Sequence, residues 1–136
     1  MNNNITIDKN IFKKHNVKLA YLFGSRVKDN AAKESDYDVA ALFKELQDPL
    51  ALVETMNLSA DLRAFFPSKV DLVSLNFAPL LLKYEVVAHN QVLYCEDEKE
   101  RIDFEVRTTK MYLDEKYTLE IYYRAMEERI KQGVFS

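Results

Sequence analysis

Val17-Lys18-Leu19-Ala20-Tyr21-Leu22-Phe23-Gly24-Ser25-Arg26, followed ten residues after Ser25 by Ser35-Asp36-Tyr37-Asp38-Val39, is the stretch on which the fold turns. Residues 17–23 form an apolar run of strand length, which reads as a buried strand. Gly24-Ser25 ends that run, and a polar loop follows over residues 27–35. Residues 36–43 are β-branched and aromatic enough for a second strand. Toward the N-terminus, residues 8–15 read as a short amphipathic start.

On the C-terminal side, Asp48-Pro49 reads as an N-cap with proline at the first helical position. Leu50, Val53, Leu58, Leu62 and Phe65 or Phe66 then recur at near-helical spacing up to Pro67. Residues 69–75 predict a third strand, residues 79–89 a short helix and residues 91–95 a fourth strand. From about residue 99 to 131 the chain reads as helical. Ile102, Val106 and Leu113 fall on one stripe there, and Leu119, Tyr123, Met126 and Ile130 on another. Residues 114–118 are expected to bend or break the helix, and Gly133 is a natural stop. The expected architecture is α/β: a small mixed sheet of about four strands flanked by helices, with a long C-terminal helical arm. It forms one domain over residues 1–136, with a core of about 8–96 and an arm of about 97–134.

Length and composition agree with this. The chain has 136 residues, 48% hydrophobic and 30% charged, which suits one soluble domain with a real core. A net charge of −3 argues against a protein held to nucleic acid by a broad basic surface. The single cysteine, Cys95, allows no disulfide within the chain and fits a cytoplasmic location. The first residues lack the basic and apolar regions of a secretory signal. The apolar runs are too short to span a bilayer, so no membrane association is expected.

The chemistry-bearing residues lie at strand ends. Alternation along a strand points Asp36 and Asp38 to the same face, with Cα atoms about 7 Å apart. Two carboxylates aimed together repel each other unless a cation sits between them. Hard divalent ions such as Mg2+ take oxygen ligands of this kind, completed by substrate phosphates and water. A lone acid in the third strand, Lys69-Val70-Asp71-Leu72-Val73, enters the same cluster if that strand lies beside the second. The Gly24-Ser25 turn supplies N–H groups and a hydroxyl, and glycine permits close approach to a phosphate. Arg26 adds a fork of donors.

Gly24, Ser25, Asp36, Asp38 and Asp71, with Tyr37 between the first two acids, resemble the motif of the nucleotidyltransferase superfamily of the DNA polymerase β type. More narrowly, the chain is similar to the minimal nucleotidyltransferase (MNT) antitoxins of HEPN–MNT toxin–antitoxin pairs. Gly24-Ser25-Arg26, the short length, the Val70-Asp71-Leu72-Val73 strand and the tail Phe104-Glu105-Val106-Arg107 with Tyr112-Leu113-Asp114 carry that likeness. The resemblance implies transfer of AMP from ATP to a tyrosine hydroxyl of a HEPN toxin, a ribonuclease silenced by the modification, in a hetero-oligomer with that toxin. It implies that Gly24, Ser25 and Arg26 hold the nucleotide and that Asp36 and Asp38 bind Mg2+. Asp71 would help bind metal and take the proton of the attacking tyrosine. Two other readings compete: a small-molecule nucleotidyltransferase of the aminoglycoside type, for which this length leaves little room for a drug pocket, and a non-catalytic antitoxin that acts by binding alone.

Other residues carry plainer expectations. Lys28 and Lys33 are within reach of a phosphate but fit a solvated loop better, and Ser35 fits a cap before the strand. His15 and His89 stand alone, without metal-ligand spacing, and are expected on the surface or at helix ends. Cys95 reads as a small packed thiol, and residues 96–101 as a solvated helix start. Tyr112, Tyr117, Tyr122, Tyr123, Met126, Ile130 and Phe135 are expected to split between an inward packing half and an outward half that grips a partner.

Overall fold

The apolar run of the sequence becomes β1 (Val17–Phe23), an inner strand of a four-stranded sheet. The computed structural model describes residues 5–27, 36–44 and 48–133. β2 (Tyr37–Phe43) and β4 (Asn90–Cys95) flank β1, both antiparallel to it. β3 (Val70–Ser74) pairs parallel with β2, so the order is β3-β2-β1-β4. A parallel pair needs a crossover, and α2 (Asp48–Leu62) supplies it. α1 (Lys9–Lys14), α3 (Leu80–Ala88) and α4 (Glu98–Lys131) complete the chain. Lys28, Lys33, Ser35 and Phe135 lie outside the described residues.

The helices cover both sheet faces. On one, Phe12 of α1 and Leu58 and Leu62 of α2 pack against Ala20, Leu22, Val39 and Phe43. On the other, Val86 of α3 and Phe104 of α4 pack against Leu19, Tyr21 and Ala40. Double coverage explains why β1 is apolar at nearly every position rather than alternating. Val53, expected on the inward stripe of α2, instead faces solvent.

Local signals set the helix ends. The Asp8 carboxylate accepts from the Asn10 N–H at 3.0 Å and starts α1. Asn16, at φ 58°, turns the chain from α1 into β1, a conformation asparagine tolerates. The Asp97 carboxylate accepts from Lys99 N at 2.9 Å and starts α4. Gly133, at φ 68°, ends it, with its N–H donating to Ile130 O.

Three expectations are corrected. α4 runs unbroken through residues 114–118. That segment holds neither proline nor glycine, and the Thr118 hydroxyl donates to Asp114 O at 3.0 Å within the helix. Second, the stripe of Ile102, Val106 and Leu113 is exposed; the inward face is Phe104 and Thr108, with Tyr112 stacked on Tyr84 of α3 at 3.8 Å between rings. A polar tie selects that face: Glu105 accepts from the Tyr21 hydroxyl at 2.8 Å and from Arg101 at 3.0 Å. Burial, then the Glu105 bond, pushes the Tyr21 phenol far above its ordinary pKa, so it stays a donor. Beyond Tyr112 most large apolar side chains of the arm are exposed, Tyr117, Leu119, Ile121, Tyr122, Tyr123 and Ile130 among them, so far less than half of that set packs inward.

Third, His15 is buried rather than on the surface, although it does close α1 as its C-cap. One ring nitrogen lies 2.6 Å from Asp61 Oδ2 and the other 3.5 Å from Glu54, which ties α1 to α2. His89 is exposed at the end of α3, as expected. Cys95 packs half-buried against the second cluster, and burial raises its thiol.

Candidate functional site

β1 ends at Phe23, and Gly24–Arg26 form a single 3-10 turn closed by Val27 N–H to Gly24 O at 3.1 Å. Gly24 sits at φ +79°, in the region open to glycine. The strand ladder then brings the acids together. Phe23 is the partner of Asp38 across β1 and β2, and Asp38 is the partner of Asp71 across β2 and β3. The turn, Asp38 and Asp71 therefore follow one line across three strands, at one end of the sheet. Asp36 precedes β2 by one residue.

Gly24 is packed directly on Asp38. A Cβ at this position would collide with Oδ2 of the Asp38 carboxylate and stand 3.1 Å from its carboxyl carbon. The Asp38 carboxyl is pushed above its ordinary pKa, first by burial and then by the charges of Asp71 and Asp36. Asp71 and Asp36 thus both act on Asp38, although among the described residues no three acidic, histidine or cysteine side chains close into a ready-made metal cage. The donor set fits a hard divalent cation: it offers carboxylate oxygens only, and the repulsion it carries is the kind a cation relieves.

Tyr37 points the other way, into the core, where its ring meets Phe66 at 5.0 Å. The Arg26 guanidinium lies 4.3 Å above that ring. Arg26 is thereby held at the rim of the turn by a cation–π contact. The sequence reading missed this platform for Arg26, although strand alternation already placed Tyr37 opposite its two neighbouring acids. Ser25 is partly exposed in the turn. Also missed were Arg63, at the end of α2, and Lys69, just before β3, which line a groove together with Asp71. Their only signal was proximity in sequence to the third strand.

Residues 7–99 match the model of the Polymerase beta, Nucleotidyltransferase family. The chain belongs to that family of nucleotidyltransferases, and its four-stranded mixed sheet with a long C-terminal helix is the MNT fold. It is 33% identical over 96 residues to the protein adenylyltransferase MntA of Shewanella oneidensis, covering 71% of this chain. The matched stretch spans 66% of that relative, just under two thirds of its length. Among solved structures, a chain of a toxin–antitoxin crystal structure with AMP-PNP aligns with TM-score 0.61 and 26% identity, over 92% of this chain and 99% of that one. A chain from the structure of a tri-AMPylated Shewanella oneidensis HEPN toxin in complex with MNT antitoxin aligns with TM-score 0.58 and 25% identity, over 90% and 91%. Among the described residues no helix is long and apolar enough to cross a membrane.

Proposed function

We propose that this protein is the antitoxin of a toxin–antitoxin pair and transfers AMP from ATP to a tyrosine of a cognate HEPN toxin, in a Mg2+-dependent reaction in the cytoplasm. The observation that carries the reading is the register of Asp38 with Asp71, beneath a glycine turn that leaves no room for a side chain. The adenylyltransferase relative and the likeness to a chain solved with an AMPylated HEPN toxin support it.

In this reading Gly24 and Ser25 offer N–H groups and a hydroxyl to the triphosphate, and Arg26 is the cationic donor of the turn. Asp36 and Asp38, with help from Asp71, hold Mg2+. The metal supplies positive charge against the triphosphate and the developing transition state. Asp71 is exposed at the sheet edge and takes the phenolic proton. The tyrosine oxygen forms a bond to the α-phosphorus. The bond from that phosphorus to the oxygen bridging the β-phosphate breaks, and pyrophosphate leaves. The partner is the toxin, bound as a hetero-oligomer, and neither nucleic acid nor membrane takes part.

The test is incubation of the purified protein with the HEPN protein of the adjacent reading frame, ATP and Mg2+, followed by intact mass measurement. A gain of one or more AMP groups on the HEPN protein is expected. No gain, or the same gain in excess EDTA, would overturn the reading.

A further inference from the structure

β3 is the end strand of the sheet, so one of its edges has no ladder partner among the described residues. The ladder tells which groups face outward. Lys69 O accepts from Tyr37 N at 2.8 Å, and Leu75 N donates to Ala41 O at 2.8 Å, so the odd-numbered residues bond toward β2. Alternation leaves Val70, Leu72 and Ser74 presenting their N–H and C=O groups outward. Proteins ordinarily blunt such an edge with lysine, proline or a bulge. β3, Val70-Asp71-Leu72-Val73-Ser74, carries none of these.

Two grooves meet along this edge. The first, of about 480 Å³, is lined by Val70, Asp71 and Leu72 with Met56 of α2. The second, of about 440 Å³, continues along Val73 and Ser74 to Phe77. Both share Leu52 and Thr55. The rim is apolar and open: Leu52 is 67% exposed, Met56 62% and Phe77 50%. A five-residue strand is about 17 Å long. That length, with Leu52, Met56 and Phe77 on an apolar rim beside Arg63 and Lys69, suits a stretch of polypeptide.

We propose that the free edge of β3 is where the protein acceptor enters: an extended, tyrosine-bearing segment of the HEPN partner adds to β3 as a further strand, seats apolar side chains against Leu52, Met56 and Phe77, and delivers its hydroxyl to Asp71. This rests on the function proposed above and adds how the substrate is held. Main-chain bonds to Val70, Leu72 and Ser74 supply affinity, and the rim sets the register that brings one tyrosine to the acid. Asp71 belongs at once to the acid line and to the groove, so a strand laid on this edge passes the site without a further turn.

Residue-resolved amide exchange on the full chain, with and without the HEPN partner, reads the bonding directly. The amides of Val70, Leu72 and Ser74 should slow at least tenfold when the partner is added, while those of Asp71 and Val73, already bonded to β2, change little. Met56→Glu combined with Phe77→Glu should raise KM for the partner at least tenfold and leave ATP affinity unchanged. Ser74→Pro, which removes an outward N–H and no ladder bond, should do the same. Unslowed amides with an unchanged KM would overturn the edge while leaving AMP transfer intact. Slowed amides without AMP gained would uphold the edge and overturn the transfer reading. Slowing of these amides by a higher concentration of the protein alone would make the occupant a second copy and overturn the proposal.

Discussion

Gly24 lies against Asp38 so closely that the carboxylate oxygen occupies the space a Cβ would need. Gly24 opens the turn directly after β1, Asp38 is the acid of β2, and the antiparallel register that pairs Phe23 with Asp38 brings them together. The contact joins the phosphate-binding turn and the acid line into one unit. Displacing either partner disturbs both.

Gly24→Ala is therefore expected to be costly twice. The left-handed backbone alone costs roughly 1–2 kcal/mol for a residue with a Cβ. The new methyl also pushes the Asp38 side chain from its place. Urea denaturation should show the stability loss, and AMP transfer should fall about 100-fold, equivalent to about 2.7 kcal/mol of barrier. Near-normal transfer from the destabilised variant would show that the close approach has no catalytic role.

Asp38→Asn should separate stability from activity. The native carboxyl is desolvated and repelled by Asp71 and Asp36. A carboxyl whose folded pKa is raised costs stability only once it ionises, so the cost is absent in acid and develops as pH rises above about 4. In EDTA at neutral pH the variant should melt at or above the wild-type temperature, and the advantage should vanish in acid. AMP transfer should drop by orders of magnitude for Asp38→Asn and for Asp36→Asn. A variant that melts well below wild type at neutral pH would contradict this account.

Asp71→Asn is expected to lower kcat more than it weakens ATP binding, since its proposed work is proton removal with a share in the metal. Single-turnover transfer and nucleotide titration distinguish the two effects. Normal turnover would leave Asp71 as no more than an edge residue.

Asp61 gives a pH dependence of the opposite sign. Its carboxyl is held below its ordinary pKa, first by the His15 hydrogen bond and then by Lys14. That stabilisation is present above the unfolded pKa near 3.9 and is lost as pH falls through the lower folded value. Asp61→Asn should melt below wild type at pH 6, and the thermal melts should converge as the pH is taken well below the unfolded pKa. A gap that persists into acid would mean that the lost contact is not electrostatic.

Ending the chain after Thr118 should leave the domain folded. α4 is anchored before that point, at Phe104, Thr108, Tyr112 and the Glu105 tie to Tyr21. Circular dichroism should lose helix without a collapse in melting temperature. Binding to the HEPN partner should weaken at least tenfold, because the exposed Tyr122, Tyr123 and Ile130 offer the tyrosine-rich apolar surface that suits an interface. Wild-type affinity in a folded truncation would remove the arm from the contact.

Much of the fold was legible because its signals are local. β1 reads directly as residues 17–23, an apolar run closed by glycine, and the acids are placed by alternation within a few residues. The face of α4 was not legible. Apolar residues occur nearly all round that helix, and the choice of Phe104 and Thr108 over Ile102 and Val106 depends on distant partners: the second face of the sheet and the Tyr21 hydroxyl. His15 misled for the same reason, since its two carboxylate neighbours, Glu54 and Asp61, come from another helix.

The sequence by itself determined the element order, the glycine turn and the presence of three acids in or just before strands, because strand periodicity, turn chemistry and helix caps act over a few residues. Only the tertiary structure decided that Asp38 and Asp71 stand in register, that Gly24 closes over Asp38, and that β3 ends the sheet with an edge unpaired among the described residues. Strand pairing joins residues far apart in the chain, and its register follows from how α2 and the flanking cores pack, a balance that no short stretch of sequence contains.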